Sequence, residues 1–212
     1  MDNEKMLEKK LLFKITNQEE NHNGFQYTTG INILDKPFEF AGSCVKGGLY
    51  FTDKENLHWF YMYGIWVRVV KIPDGANVVE DPDKSIGRKW RADQIELCER
   101  YPLYDVNTII QLKLTITEQY IINACSLGKI DVLDYLQSSG LFYHDYGTIL
   151  QRPKCSDKDC LYAAADNGHL DLLIWWNNSG LPLTTSKNAH FSYSDNVIGM
   201  ASKAGNVKIL QL

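Results

Sequence analysis

The chain has 212 residues, of which 44% are hydrophobic and 12% aromatic, so it can bury a substantial core. Its formal net charge of −4 leaves no excess of Lys and Arg to neutralise phosphates, which argues against a nucleic-acid partner. The N-terminal segment lacks the apolar run of a secretory signal, and no stretch approaches the roughly 18 apolar residues of a membrane span. We therefore expect a protein that is neither secreted nor transmembrane and has no membrane partner.

The first 110 residues predict a small domain behind a polar leader. Residues 1–23 are rich in charged and amide side chains and form the leader. Residues 24–110 contain short runs of β-branched and aromatic residues separated by Gly, Pro, Asp and Asn, which is typical of strands and turns. The segment "DKENLHWFYMYG" has an acidic start and apolar residues at helical spacing, which predicts one short helix. We expect an α+β domain, mostly β, that ends near residues 105–116.

The segment "SIGRKWRAD" concentrates three basic residues around a tryptophan. Arg88, Lys89 and Arg91 flank Trp90, whose ring has the chemistry to stack on a base or sugar. The acidic stretch "EDPDK" directly before them weakens any attraction for phosphate. We therefore expect this segment to be a solvated surface.

Two stretches in the second half of the chain repeat each other. "NACSLGKIDVLDYLQSSGL" is followed forty residues later by "YAAADNGHLDLLIWWNNSGL", and Gly128, Gly168 and Gly205 stand in corresponding places, 40 and 37 residues apart. An alanine precedes each of these glycines by four residues. Glycine ends a helix because it adopts a left-handed backbone conformation without penalty, so each unit predicts a helical hairpin. Hairpins of this length stack on one another to bury their apolar faces.

These units resemble ankyrin repeats, in which A-x-x-x-G is followed twelve residues later by a second glycine, here Gly140 and Gly180. The resemblance covers residues 117–212, with repeats at about 117–150, 157–190 and 194–212, the last incomplete. It implies an all-α, ankyrin-like repeat solenoid behind the N-terminal domain. The repeats are longer than the usual 33 residues, and the Thr-Pro-Leu-His opening of the first helix is absent.

The third repeat stops inside its second helix, at Leu212. A solenoid needs a terminal unit with a polar outer face, which "VKILQL" does not supply. We expect a chain shortened from a longer array, and the alternative is that the open end pairs with something, including a second copy of the chain.

The N-terminal domain has a resemblance of its own. "GGLYF", "IPDGANVV" and "RADQI" are similar to the domain that precedes the repeats in the mimivirus ankyrin-repeat family. The resemblance implies a giant DNA virus as the source and no particular chemistry, and because stacked repeats work by holding another macromolecule, we expect a non-enzymatic protein–protein interaction module. It would bind a host or viral protein through the repeat surface, in the host cytoplasm or in the virion.

An enzymatic alternative rests on two short motifs. "GGLYFTD" with a tyrosine downstream, and "QIE" at residues 94–96, are similar to elements of the ADP-ribosyltransferase fold. That resemblance implies catalytic roles for Tyr50, Tyr61 and Glu96 in an enzyme targeted by the repeats. The earlier strand lacks the His or Arg that this fold uses to hold its substrate, so we favour the interaction module.

Candidate interface residues come from the second repeat and the insertions. Trp175 and Trp176 are adjacent on a helix that turns about 100° per residue, so one indole fills the core and the other is exposed. Exposed aromatic residues are common anchors of protein interfaces. The candidates for the binding surface are Trp176, Tyr143, His144 and Phe191.

The sequence contains five cysteines: Cys44, Cys98, Cys125, Cys155 and Cys160. They form no C-x-x-C pair, and their odd number favours reduced thiols over a disulfide framework. A zinc site made of Cys155, Cys160 and His144 or His169 is rejected, because four residues separate the cysteines and no second ligand pair follows. We expect no metal and no cofactor.

Overall fold

The computed structural model describes residues 10–143 and 154–181. The chain divides into two compact units, residues 1–103 and residues 104–212. In the described ranges the first unit is built on strands and the second on α-helices.

The described part of the first unit contains nine strands: β1 (Leu12–Thr16), β2 (Asn21–His22), β3 (Phe25–Gln26), β4 (Gly30–Ile33), β5 (Leu49–Asp53), β6 (Trp66–Lys71), β7 (Val78–Glu80), β8 (Trp90–Ala92) and β9 (Gln94–Pro102). Seven of them form one sheet in the order β4-β9-β6-β1-β5-β8-β7, in which all paired neighbours are antiparallel. β2 and β3 pair with each other as a separate small hairpin. β1 therefore lies at the centre of the sheet, between β6 and β5.

β1 is buried along its whole length. Since side chains alternate between the two faces of a sheet, Leu12, Lys14 and Thr16 lie on one face and Phe13 and Ile15 on the other. Leu12 belongs to a core cluster whose other members are Tyr27, Leu49, Phe51, Val70, Trp90, Ala92, Ile95 and Leu97. Each large apolar side chain buried there contributes about 1.5–3 kcal/mol to stability.

The central strand comes from residues 1–23, which sequence analysis assigns to the polar leader. Leu12 is paired with Val70 of β6 on one side and with Asp53 of β5 on the other. The five residues "LFKIT" stand between the charged stretches "LEKK" and "NQEEN", so the composition of the whole segment conceals them. The sheet thus begins at Leu12, inside the predicted leader.

A 3₁₀ helix, α1 (Lys54–Tyr63), connects β5 to β6 where the sequence predicts one short helix. The carboxylate of Asp53 caps its start by accepting a hydrogen bond from the backbone N–H of Asn56 at 3.1 Å. The helix ends at Gly64, where any side chain would overlap the backbone carbonyl of Thr16. Glycine therefore lets the chain turn tightly beside β1 into β6.

The described part of the second unit contains five α-helices: α2 (Val106–Leu112), α3 (Glu118–Ser126), α4 (Ile130–Ser138), α5 (Asp157–Asp166) and α6 (Leu170–Asn178). α3 with α4 and α5 with α6 form two hairpins, whose turns use Gly128 and Gly168 at φ values of +64° and +78°. Ala124 and Ala164 are fully buried, and their small size suits the close packing of α3 against α5.

The predicted fold class, an all-α ankyrin-like repeat solenoid behind an α+β domain, is wrong. The seven-stranded antiparallel sheet is the main element of the structure, and the described helices form two hairpins preceded by α2. The spacing of glycine and alanine depends only on neighbouring residues, so it predicts each hairpin. It does not predict how many hairpins stack, and a solenoid requires at least three stacked units. The third predicted repeat, residues 194–212, lies outside the described residues.

Candidate functional site

A cleft with a volume of about 590 Å³ opens on the first unit. Its walls come from β1, the β2–β3 hairpin, the C-terminal end of α1, and β5 with the residues just before it. Small-molecule sites generally have volumes of roughly 300–1,000 Å³. The cleft therefore has room for a ligand of ordinary size.

Lys14 lines this cleft from the central strand. Its side chain is only 6% exposed, and its Nζ donates a hydrogen bond to the backbone carbonyl of Tyr50 at 2.9 Å. The same Nζ lies 4.4 Å from the centroid of the Tyr27 ring, a cation–π distance. Burial lowers the pKa of Lys14 from 10.5 to about 7. Near neutral pH the side chain is thus divided between ammonium and free amine.

Aromatic rings cluster beside Lys14. The Tyr27 ring makes edge contacts with Phe25 and His22, at centroid distances of 4.8 and 6.2 Å. The Nε2 of His22 lies 3.2 Å from the backbone carbonyl oxygen of Tyr63. Burial, and after it the charge of Lys14, lowers the pKa of His22 below 6.5, so its imidazole is mostly neutral at pH 7.

The charged residues that line the cleft are basic. Lys36 and Lys46 are exposed there, whereas Lys89 is buried and forms an ion pair with Asp81 at 3.5 Å. No Asp or Glu is among the described residues of the lining. Lys36 is paired with Asp35 at 3.6 Å, so the positive character of the cleft comes from Lys14 and Lys46.

Asp81 is a fully buried carboxylate that joins several segments of the first unit. It accepts hydrogen bonds from the Tyr50 hydroxyl at 3.2 Å, the Arg91 guanidinium at 3.1 Å and the Cys44 backbone N–H at 2.9 Å. Burial alone would raise the pKa of this carboxyl, but the hydrogen bonds and the charge of Lys89 outweigh it, and the pKa is lowered. Asp81 therefore stays ionised and holds Tyr50 in place.

The three residues implied by the ADP-ribosyltransferase resemblance do not meet in the cleft. Tyr50 lines it, Tyr61 is a buried residue of α1, and Glu96 lies on β9 opposite Lys71 of β6. Two strands, β1 and β6, lie between β5 and β9. At the usual strand spacing, β9 is therefore roughly 14 Å from β5. Glu96 and Tyr50 thus lie far apart on the sheet.

Of the predicted interface residues, Trp176 is a core residue instead. It is 2% exposed, and its ring packs against Phe142 at a centroid distance of 5.9 Å. Tyr143 is half-buried beside the same phenylalanine. His144 and Phe191 lie outside the described residues. The indole of Trp176 is therefore unavailable to a partner, because helix periodicity leaves open which of two adjacent tryptophans faces inward.

Trp175 is the tryptophan that reaches the surface, on a face formed by α4 and α6. Its Nε1 donates a hydrogen bond to the carboxylate of Asp134 at 3.3 Å, and the Gln137 amide donates to the Ser179 carbonyl at 2.8 Å. These bonds hold the two helices side by side. Ile174, next to the half-exposed Trp175, is 46% exposed on the same helix. We refer to the exposed residues of α4 and α6 as the α4–α6 face.

The cleft residues Lys14 and Tyr27 are not among the site residues predicted from the sequence. The available signal is a lysine between Phe13 and Ile15 in a short apolar run, which is unusual in a buried central strand. Recognising it requires knowing that β1 is buried on both faces, which the five-residue run does not reveal.

The candidate zinc ligands have other partners. The Cys160 thiol donates to the Sγ of Cys155 at 2.9 Å, and the Nε2 of His169 lies 3.0 Å from the carbonyl oxygen of Ser126. Within residues 10–143 and 154–181, no group of three His, Cys, Asp or Glu side chains is arranged to hold a metal ion. Over the same ranges, no helix is both long and apolar enough to cross a bilayer.

Curated relatives of the chain come from Acanthamoeba polyphaga mimivirus. One, named "Putative ankyrin repeat protein", is 43% identical over 110 residues, which cover 47% of this chain and 36% of the relative. A second with the same name is 41% identical over 106 residues, or 49% of this chain and 53% of the relative. A third, named "Uncharacterized protein", is 30% identical over 168 residues, or 77% of this chain and 95% of the relative. The chain belongs to the mimivirus ankyrin-repeat family.

The family resemblance inferred from the sequence is thereby confirmed. The chain spans about half the length, or less, of the two relatives named as ankyrin repeat proteins. No family model and no solved structure matches it. The names of the relatives called ankyrin repeat proteins state a type of repeat. They mention neither a ligand nor a reaction. They are therefore consistent with an interaction role and give no information about the cleft.

Proposed function

We propose that this member of the mimivirus ankyrin-repeat family is a non-enzymatic interaction module that binds a host or viral protein through the α4–α6 face. Family membership supports this class of function, because the relatives are named for ankyrin repeats and repeat proteins of that kind present surfaces to other macromolecules. We expect it to act in the host cytoplasm or in the virion.

The observation that carries the proposal is the half-exposed indole of Trp175 beside the exposed Ile174. Tryptophan is enriched among the residues that dominate binding energy at interfaces. The hydrogen bond to Asp134 holds this indole in one orientation before a partner arrives. Less conformational entropy is then lost on binding than for a freely rotating side chain.

No observation favours the enzymatic alternative. Its three residues, Tyr50, Tyr61 and Glu96, are distributed over β5, α1 and β9, and the glutamate is two strands away from the cleft. An acid that polarises an acceptor must lie within hydrogen-bond reach of the reacting group. We therefore do not propose ADP-ribosyl transfer.

The test is a comparison of partner capture by matched variants of the full chain. Native protein, Ile174→Asp and Ile110→Asp are immobilised and exposed to lysate from infected host cells. Ile110 is a suitable control because it is also an exposed isoleucine, at 54%, and lies on a different helix, α2. We expect a partner to be retained by the native chain and by Ile110→Asp, and to be lost with Ile174→Asp.

The captured protein is then purified and titrated calorimetrically against the same three chains. A hot-spot residue costs at least about 2 kcal/mol when removed, which corresponds to about a thirtyfold loss of affinity. Equal affinities for the native chain and Ile174→Asp would reject the α4–α6 face. An affinity lost equally in Ile110→Asp would show general disruption of the second unit rather than a binding residue.

A further inference from the structure

Among the buried cationic side chains of the described residues, Lys14 is the one without an ion pair. The described residues contain four of these side chains: Lys14, Arg68, Lys89 and Arg91. Arg68 pairs with Glu20 at 3.3 Å, while Lys89 and Arg91 pair with Asp81 at 3.5 and 3.1 Å. Lys14 forms no ion pair with any described carboxylate. A buried charge without a counter-charge is strongly destabilising, so this residue needs an explanation beyond packing.

The described contacts of Lys14 are both with neutral groups. Its ammonium donates one hydrogen bond to the Tyr50 carbonyl and lies over the face of Tyr27. An ammonium has three N–H donors, so these contacts leave at least one for a partner in the cleft. An anion in the cleft would supply the counter-charge that no described carboxylate supplies.

The other residues of the cleft indicate the chemistry of the rest of the ligand. Lys46 adds positive charge at the surface of the cleft, whereas Lys36 is paired with Asp35 at 3.6 Å, and no Asp or Glu is among the described residues of the lining. Apolar and aromatic side chains make up much of the remaining wall: Phe25, Tyr27, Leu34, Phe60, Met62 and Tyr63. Such a wall favours a flat apolar or aromatic group.

We propose that the cleft of the first unit binds a small molecule with an anionic group and an aromatic or apolar body, and that Lys14 pairs with the anionic group. This site lies in the first unit and its occupancy does not depend on the α4–α6 face. A carboxylate, a phosphate and a sulfonate share the required chemistry.

The ionisation of the cleft gives the binding a pH dependence. The titratable groups that line the cleft with Lys14 are His22, Cys44, Tyr27, Tyr50, Lys36, Lys46 and Lys89, and the charge of Asp35 acts on Tyr27. The pKa values of both tyrosines are raised, and that of His22 is lowered below 6.5. Between pH 7 and 9 the free protein loses the Lys14 proton, with a pKa of about 7. Only the charged form pairs with an anion, so affinity falls by up to about a hundredfold from pH 6 to pH 9.

The first experiment measures binding of an anionic dye, 1-anilinonaphthalene-8-sulfonate, to the full chain by fluorescence titration. Its neutral analogue, N-phenyl-1-naphthylamine, reports the apolar contribution alone. The variants are Lys14→Met, which keeps the length and apolar character of the side chain, and Lys71→Met. Lys71 is an exposed lysine of β6 outside the cleft lining and serves as the matched control.

We expect saturable binding of one anionic dye, weakened about tenfold to hundredfold by Lys14→Met and unchanged by Lys71→Met. The neutral dye should bind the native chain and Lys14→Met equally. The pH dependence should disappear in Lys14→Met.

Three outcomes would overturn the proposal. One is an affinity for the anionic dye that is equal in the native chain and Lys14→Met. Another is the loss of both dyes in Lys14→Met, since that shows a collapsed cleft and a structural lysine. The third is the absence of saturable anionic-dye binding to the native chain.

Discussion

Replacing Lys14 with Met should stabilise the protein, in a way that depends on pH. When Lys14 is charged, a pKa of about 7 in place of 10.5 corresponds to a cost of up to about 5 kcal/mol to the folded state, at about 1.36 kcal/mol per pKa unit. Met carries no charge and packs as an apolar side chain of similar length. The variant should therefore have the higher free energy of unfolding at pH 6.

The sign of the pH effect follows from proton binding. In the unfolded chain Lys14 keeps its proton up to about pH 10.5, while the folded chain releases it from about pH 7 upward. Between these values the unfolded state binds more protons, so the stability of the native chain rises with pH. The Lys14 contribution to this rise is about 2 kcal/mol between pH 7 and pH 9.

The assay is urea unfolding of the full chain at pH 6, 7, 8 and 9, followed by tryptophan fluorescence and by circular dichroism. The relevant quantity is the difference in free energy of unfolding between Lys14→Met and the native chain, because titrating groups that do not interact with Lys14 cancel in it, and His22, which does, is mostly neutral above pH 7. We expect this difference to decrease by about 2 kcal/mol from pH 7 to pH 9. The control Lys71→Met should follow the native chain at every pH.

One result would refute this reasoning. If the difference stays constant within about 0.5 kcal/mol from pH 7 to pH 9, the Lys14 ammonium is not desolvated in the folded state. A solvated ammonium does not need a counter-charge, so Lys14 would then give no reason to expect an anion in the cleft.

Two further substitutions test the framework around the cleft. Asp81→Ala removes the partner of the buried Arg91 guanidinium and should lower the free energy of unfolding by about 3–5 kcal/mol, measured by urea unfolding. Gly64→Ala forces a side chain against the Thr16 carbonyl and should cost about 3 kcal/mol or more, measured as a lower thermal midpoint.

Each of these substitutions has a matched control. Glu99→Ala removes an exposed carboxylate of β9 and should change stability by less than about 0.5 kcal/mol. Gly75→Ala places its new methyl group in open space, although the φ of +78° still costs about 1–2 kcal/mol. A Gly64→Ala variant no less stable than Gly75→Ala would contradict the predicted overlap, and a stable Asp81→Ala would show that Arg91 finds another partner.

Local patterns in this chain predict local structure. The acidic start at Asp53 and the apolar spacing after it predict the short helix α1, and the A-x-x-x-G pattern around Gly128 and Gly168 predicts the two hairpins. In each case the determinants lie within about ten residues of one another. The number of stacked units is not local, and there the predicted solenoid is wrong.

The basic segment around Trp90 shows why composition alone misjudges burial. Sequence analysis expects a solvated surface at Arg88, Lys89 and Arg91, because three cations adjoin an acidic stretch. In the structure Arg91 is 1% exposed and Lys89 is 5% exposed, and both pair with Asp81 from that same acidic stretch. Mutual neutralisation makes burial possible, and nearby opposite charges are therefore compatible with a core position as well as with a surface.

Lys14 is a different case, because its described contacts are with neutral groups. A lysine inside "LFKIT" contradicts the apolar pattern of a buried central strand, and an apolar residue there would be compatible with the rest of the core. Local choices that conflict with the fold are expected mainly at functional sites, where stability is given up for activity. The lysine that interrupts the apolar pattern of β1, and so makes the strand hard to predict, is thus the residue that indicates a functional site. The pH-dependent stability of Lys14→Met measures how much stability the protein gives up to keep that lysine.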